Sequence, residues 1–209
     1  LSMSPKQRIV KTIKNFREEL SLKNEMYANG EIEIITEYQS DLELVEVRDK
    51  YGITLISPKA LINGSKPRLL AAKDKDAYFR AMLLEVWGEN FPNLLSEYED
   101  CETKLRIEKG GFVYLVRSNS LLIGNRYDIT ENAEDPTALA VHKLKQVHGD
   151  RYDYSKVVYG RCNDEITIIC KEHGEFKQTF ADHLKGDGCR KCSMGGNYDN
   201  VFRKVDNTL

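Results

Sequence analysis

The chain has 209 residues, enough for one large domain or two to three small ones, with 31 Lys+Arg against 33 Asp+Glu. Near-neutral charge excludes nucleic-acid binding by bulk polycation, and no apolar run approaches the roughly 18 residues of a membrane span. Five cysteines without a secretory leader point to a reducing, cytoplasmic setting. Leu1 and Ser2, ahead of Met3, read as tag remnants, with Met3 as the native start and "DNTL" as the end of a complete small protein.

The first element is "SPKQRIVKTIKNFREEL". Ser4 is placed to cap, Pro5 takes the first helical position, and Ile9, Ile13, Phe16 and Leu20 recur near helical spacing. This predicts a helix from about 5 to 28. Residues 1–30 carry six cations and three acids, whereas residues 31–50 carry seven acids and two cations. The basic helix is a candidate for homodimerisation or for added DNA contacts.

A repeat follows. "EVWGENF" and "QVHGDRY" lie 61 residues apart, as do Tyr98 and Tyr159, and Cys101 and Cys162. Thr103–Asn125 aligns with Glu165–Asp187, and a third copy occupies Leu42–Ser65. Each copy alternates apolar and polar residues, turns at Gly52, Gly111 or Gly174, and resumes as a strand in "ITLI", "FVYLV" or "EFKQTF". A polar loop carrying Gly64, Gly124 or Gly186 then leads to a helix. Asp74 and Asp135 with Pro136 start helices at about 74–87 and 134–148, read as closing units one and two. Cys101 and Cys162 read as small buried residues. The fold class is α+β, with an N-terminal helix (1–30) and three tandem treble-clef-like units of β-hairpin plus helix (31–90, 91–150 and 151–209).

Only the last unit has metal-ligand chemistry. Cys170-x2-His173 and Cys189-x2-Cys192 supply three sulfurs and one imidazole in two short pairs, a pattern that zinc prefers. Four protein ligands close the shell, so one structural zinc is expected rather than a catalytic one. The aligned positions, near Arg48, Tyr51, Pro67 and Leu70 in unit one and Ile107, Gly110, Tyr127 and Thr130 in unit two, cannot hold it.

The runs "HGDRYDYSKVVY", "CKEHGEF" and "HLKGDGCRKC" resemble a zinc-binding module of phage and bacterial genomes, often attached to homing endonucleases. The resemblance covers about 55 C-terminal residues and departs at Arg190, where the family commonly has proline. It implies DNA recognition in a phage- or mobile-element-encoded protein of a bacterial host. No nuclease motif accompanies it. His142 reads as a packing residue, His148 sits in the family's turn, and His183 is the one candidate for nuclease chemistry.

The segments between hairpin and helix combine amides, hydroxyls and cations suited to phosphates and base edges. In unit three these are Lys177, Gln178, Thr179, His183, Lys185, Arg190 and Lys191. Unit two offers Arg117, Ser118, Asn119, Asn125 and Arg126, and unit one Lys59, Asn63, Ser65, Lys66 and Arg68. The expected function is sequence-specific binding of double-stranded DNA without catalysis, as a repressor or other regulator. The alternatives are the DNA-targeting part of a homing endonuclease and a zinc-stabilised protein–protein adaptor.

Overall fold

The computed structural model describes residues 5–194, with side chains from residue 14 onward. Ser4, the tail after Met194, and the side chains of Ile9 and Ile13 lie outside the described residues. Helix α1 spans Pro5–Lys23 and a short α2 spans Glu25–Ala28. The expected single helix breaks at Asn24, whose extended backbone lets its side chain accept from the Tyr27 amide.

Three small three-stranded antiparallel sheets follow, each in sequential order. The first comprises β1 (Glu33–Ile34), β2 (Val45–Arg48) and β3 (Ile53–Ile56), followed by α3 (Pro58–Ile62) and α4 (Lys75–Trp87). The second comprises β4 (Asn93–Leu94), β5 (Lys104–Lys109) and β6 (Phe112–Arg117), followed by α5 (Ser118–Leu122) and α6 (Pro136–His148). The third comprises β7 (Tyr152–Asp153), β8 (Glu165–Cys170) and β9 (Gly174–Thr179), followed by α7 (Phe180–Leu184) and α8 (Arg190–Met194). The hairpins and both long helices fall where the sequence puts them, with Asp74 and Asp135 accepting from the amides of Ala77 and Ala138. The two-residue strands and the five-residue helices α3, α5 and α7 replace segments read as loops.

The chain divides into two compact bodies. One contains residues up to Leu105 together with Arg117–Asn125, and the other Arg106–Val116 with the residues from Arg126 onward. In the first body, Phe16 and Leu20 of α1 pack into one core with Val45, Val47, Ile56 and Leu61. In the second, Ala140 and Leu144 of α6 share a core with Ile166, Ile168, Phe180, Cys170 and Cys189.

Helix α1 is thus the counterpart of α4 and α6. Leu20, Leu83 and Leu144 hold one helix position and all are fully buried. Four residues on, Asn24, Trp87 and His148 each donate a side-chain N–H to a carbonyl of the short helix: to Leu61 at 2.7 Å, Leu121 at 2.9 Å and His183 at 2.7 Å. The same three carbonyls also accept from the amides of Gly64, Gly124 and Gly186. Those glycines have φ of 81°, 72° and 107°, which side-chain-bearing residues rarely adopt. An amide, an indole and an imidazole therefore do one job, closing the short helix onto the long one. What the three share is an N–H donor to that carbonyl, not a particular residue type.

The expected burial of Cys101 and Cys162 is corrected. Cys162 is exposed and Cys101 half-buried, because both lie in the polar turn before the hairpin rather than beneath it. Among the described residues no helix is long and apolar enough to cross a membrane.

Candidate metal centre

The β8–β9 register pairs Cys170 with Gly174, so the chain reverses within a tight turn that carries His173. Gly174 has φ 78°, which this reversal requires. The second arm is placed by Tyr152, which lies opposite Cys170 in the β7–β8 pair and accepts the Cys189 amide on its hydroxyl at 3.1 Å. Cys192 is then presented from α8.

The four ligand atoms all lie within 4.8 Å of one another. Cys170 Sγ is 3.6 Å from Cys192 Sγ and 3.6 Å from His173 Nδ1, and Cys192 Sγ is 3.2 Å from His173 Nδ1. A tetrahedron with zinc bonds of about 2.3 Å to sulfur and 2.0 Å to nitrogen has edges of about 3.5–3.8 Å. The cluster fits that shell with small adjustments, and its donor set suits zinc. Cys170 and Cys189 are buried and Cys192 is half-buried.

Burial raises the Cys170 thiol, but the amides of Glu172 and His173 and the His173 ring outweigh it, bringing it down to about 7. Burial and the adjacent Cys170 push Cys192 up, against the pull of Arg151. Amides donating to the first sulfur are what a zinc knuckle provides to stabilise a thiolate. Zinc with three thiolates and a neutral imidazole would carry a formal charge of about −1, for which Arg151 is the nearby counter-charge.

Residues 135–193 match a family described as a protein of unknown function, DUF723. Among curated proteins, the chain is 38% identical over 64 residues to the uncharacterized protein R892 of Acanthamoeba polyphaga mimivirus, covering 29% of this chain and 24% of that one. It is 26% identical over 151 residues to the uncharacterized protein L763 of the same virus, covering 63% and 58%. A third mimivirus relative, the uncharacterized protein R97, is 41% identical over 51 residues, covering 24% of this chain and 18% of its own. The chain therefore spans less than two thirds of each of these relatives, and all three come from mimivirus rather than from a phage or bacterium. No solved structure matches the chain.

The DUF723 stretch begins at the Asp135 cap of α6 and ends within α8. It therefore contains the long helix as well as the metal cluster, in keeping with the core that Ala140 and Leu144 share with Cys170 and Cys189.

Two residues beyond the last fully buried position of the first hairpin strand, Cys170 corresponds to Lys109 and Asp49, rather than to the sequence-aligned Ile107 and Arg48. In repeat one the Asp49 carboxylate accepts from the amides of Tyr51 and Gly52, at 2.8 and 3.0 Å, as Cys170 does from its own turn. Tyr78 of α4 donates to the other Asp49 oxygen at 2.5 Å. In repeat two, Lys109 reaches Asp128, in the loop after the short helix, at 2.8 Å. One mechanical task, tying the hairpin turn to the following segment, is done by hydrogen bonds, by an ion pair, and by the Cys3His cluster.

The other sequence-predicted residues divide sharply. His183 is 0% exposed and fully engaged. Its Nδ1–H donates to the Asp187 carbonyl at 2.7 Å, Tyr154 donates to Nε2 at 3.2 Å, and the ring stacks on His148 at 4.0 Å. Burial, and then His148, hold its pKa down at about 4. His183 is a core residue, in the place of Leu61 and Leu121, rather than an exposed loop residue. Ser118 is 1% exposed and likewise out of reach of a ligand. Gln178 is half-buried and turned toward His183, and Thr179 caps α7. Arg126 is tied to Asp128 at 2.7 Å, and Lys185 lies 3.5 Å from Asp182. Lys177, Arg190, Lys191, Arg117, Asn119, Asn125, Lys59, Asn63, Lys66 and Arg68 are exposed, and Ser65 is half-buried.

Lys171, Arg151, Tyr152 and the donor series Asn24, Trp87 and His148 escaped sequence reasoning. The 61-residue match of Trp87 with His148 was the signal for the last of these.

Proposed function

We propose that the chain is a sequence-specific double-stranded DNA-binding protein that acts without catalysis, as a repressor or related regulator, with its last repeat held by one structural zinc. The supporting observation is the charge on both arms of the Cys3His cluster. Lys171 follows Cys170, and Arg190 and Lys191 lie between Cys189 and Cys192. All three are exposed, with no ion pair or side-chain hydrogen bond among the described residues. Cations carried on two short knuckles of one centre suit a phosphate backbone, because the backbone beneath them is already placed and only their side chains remain to be ordered on binding. The resemblance to targeting modules of homing endonucleases points the same way. His183, the residue read as a nuclease candidate, is buried, which favours a reading without catalysis.

The test is selection of bound duplexes from a random pool, in magnesium and at about 150 mM salt, where nonspecific binding is weak. Both the interiors and the ends of the recovered molecules are sequenced. An enriched motif on intact DNA supports the proposal. Motif-associated cut ends would show a nuclease, and no enrichment would overturn specific DNA binding in favour of the adaptor reading.

A further inference from the structure

The zinc-free first repeat carries a second concentration of unpaired charge. Between Tyr51 and Lys73 the sequence holds four cations and no carboxylate. Lys73 is engaged with Glu46 at 2.7 Å. Lys59, Lys66 and Arg68 are exposed and have no ion pair or side-chain hydrogen bond among the described residues.

The fold gathers two of them. Lys59 lies in the first turn of α3, which is capped by Ser57. Gly64, with φ 81°, turns the chain back, and the Ser65 amide donates to the Ala60 carbonyl at 2.9 Å. Lys66 is thereby brought alongside the turn that carries Lys59. Pro67 stiffens the step to Arg68, whose backbone is extended. Cations without acidic neighbours in their own segment are available to an external anion.

The equivalent loops lack this arrangement. In repeat two, Asn119 replaces Lys59, Arg126 is consumed by Asp128, and Asp128 itself is an acid in the loop. In repeat three, Ala181 and Gly188 stand at the first two positions, and Arg190 at the third lies between the cluster cysteines Cys189 and Cys192.

We infer that Lys59, Lys66 and Arg68 of repeat one form a phosphate-contact site for the duplex DNA backbone, adding affinity without sequence preference, while the corresponding loop of repeat two does not touch phosphate. This rests on the DNA-binding reading. Lysine and arginine side chains that each neutralise a phosphate release counterions, so each contributes about −0.9 to the slope of log K against log salt.

The experiment compares the metal-loaded wild type, the triple variant K59A/K66A/R68A and the control R126A on the selected duplex and on a panel of its single-base-pair variants, between about 50 and 200 mM salt. Unfolding midpoints and zinc content confirm that each variant is folded. The expected result is a slope shallower by about 2–3 for the triple variant, an unchanged slope for R126A, and an unchanged order of preference among duplex sequences. A triple variant that binds with the wild-type slope overturns the inference and leaves the DNA reading standing. A wild type that binds no duplex at any salt overturns both. Altered sequence preference in the triple variant would also overturn the inference, because those side chains would then be reading bases.

Discussion

Replacing His183 by leucine tests whether the buried imidazole is a structural partner or a functional group. Leu61 and Leu121 hold the same place in the other repeats, so the backbone accepts leucine there. What H183L loses is chemical. The Tyr154 hydroxyl, in a side chain only 5% exposed, gives up its acceptor, and the Asp187 carbonyl gives up its donor. A buried hydroxyl left unpaired costs about 1–3 kcal/mol, whereas the Asp187 carbonyl, in an exposed residue, can turn to water. The variant should therefore unfold about 5–15 °C earlier in calorimetry of the metal-loaded protein. The double variant Y154F/H183L removes both members of the pair and should be about 1–2 kcal/mol better than the sum of the two single variants. DNA binding should persist in both. Strict additivity would refute the pairing, and unchanged stability with lost DNA binding or cleavage would refute the structural role altogether.

Other outcomes follow from the same geometry. Removing zinc by chelation should unfold residues 135–194, since structural zinc contributes about 10–16 kcal/mol against the roughly 3–9 kcal/mol expected of a segment that size. Hydrogen exchange should then show lost protection there and retained protection over residues 14–105, whose hairpin turn is tied by Asp49 and Tyr78; loss in both would contradict independent cross-links. Y78F should cost about 1–2 kcal/mol by urea unfolding while leaving zinc content unchanged. His183 has a folded pKa of about 4 against an ordinary 6.5, so the folded state binds fewer protons than the unfolded state over that interval. Stability should fall as pH is lowered from about 6.5 towards 4, and H183L should flatten that fall; a profile unaffected by the substitution would count against a neutral buried imidazole.

The gathering of the candidate ligand set was legible because Cys-x2-His and Cys-x2-Cys are short-range patterns that need no tertiary knowledge. The hairpins and long helices were legible from periodicity, turn glycines and the Asp74 and Asp135 caps. Helix α1 was not recognised as a repeat element, because Asn24 bears no likeness to Trp87 or His148. The three share only a donor N–H, and the shared carbonyl acceptor becomes visible once α3, α5 and α7 exist. His183 was misjudged for a related reason. A polar residue on a five-residue helix reads as exposed until Tyr154, His148 and the Asp187 carbonyl close around it. The cross-links at Asp49–Tyr78 and Lys109–Asp128 escaped sequence alignment because glycine matching shifts the register at the hairpin turn.

The most direct test of the account is the metal itself. X-ray absorption at the zinc edge, with metal content measured on the same preparation, should give one zinc per chain bound by three sulfurs at about 2.3 Å and one nitrogen at about 2.0 Å. C192S should change the sulfur count and open the shell. Failure of the chain to hold zinc, or an oxygen-rich shell with an open position, would contradict a closed structural centre in the last repeat.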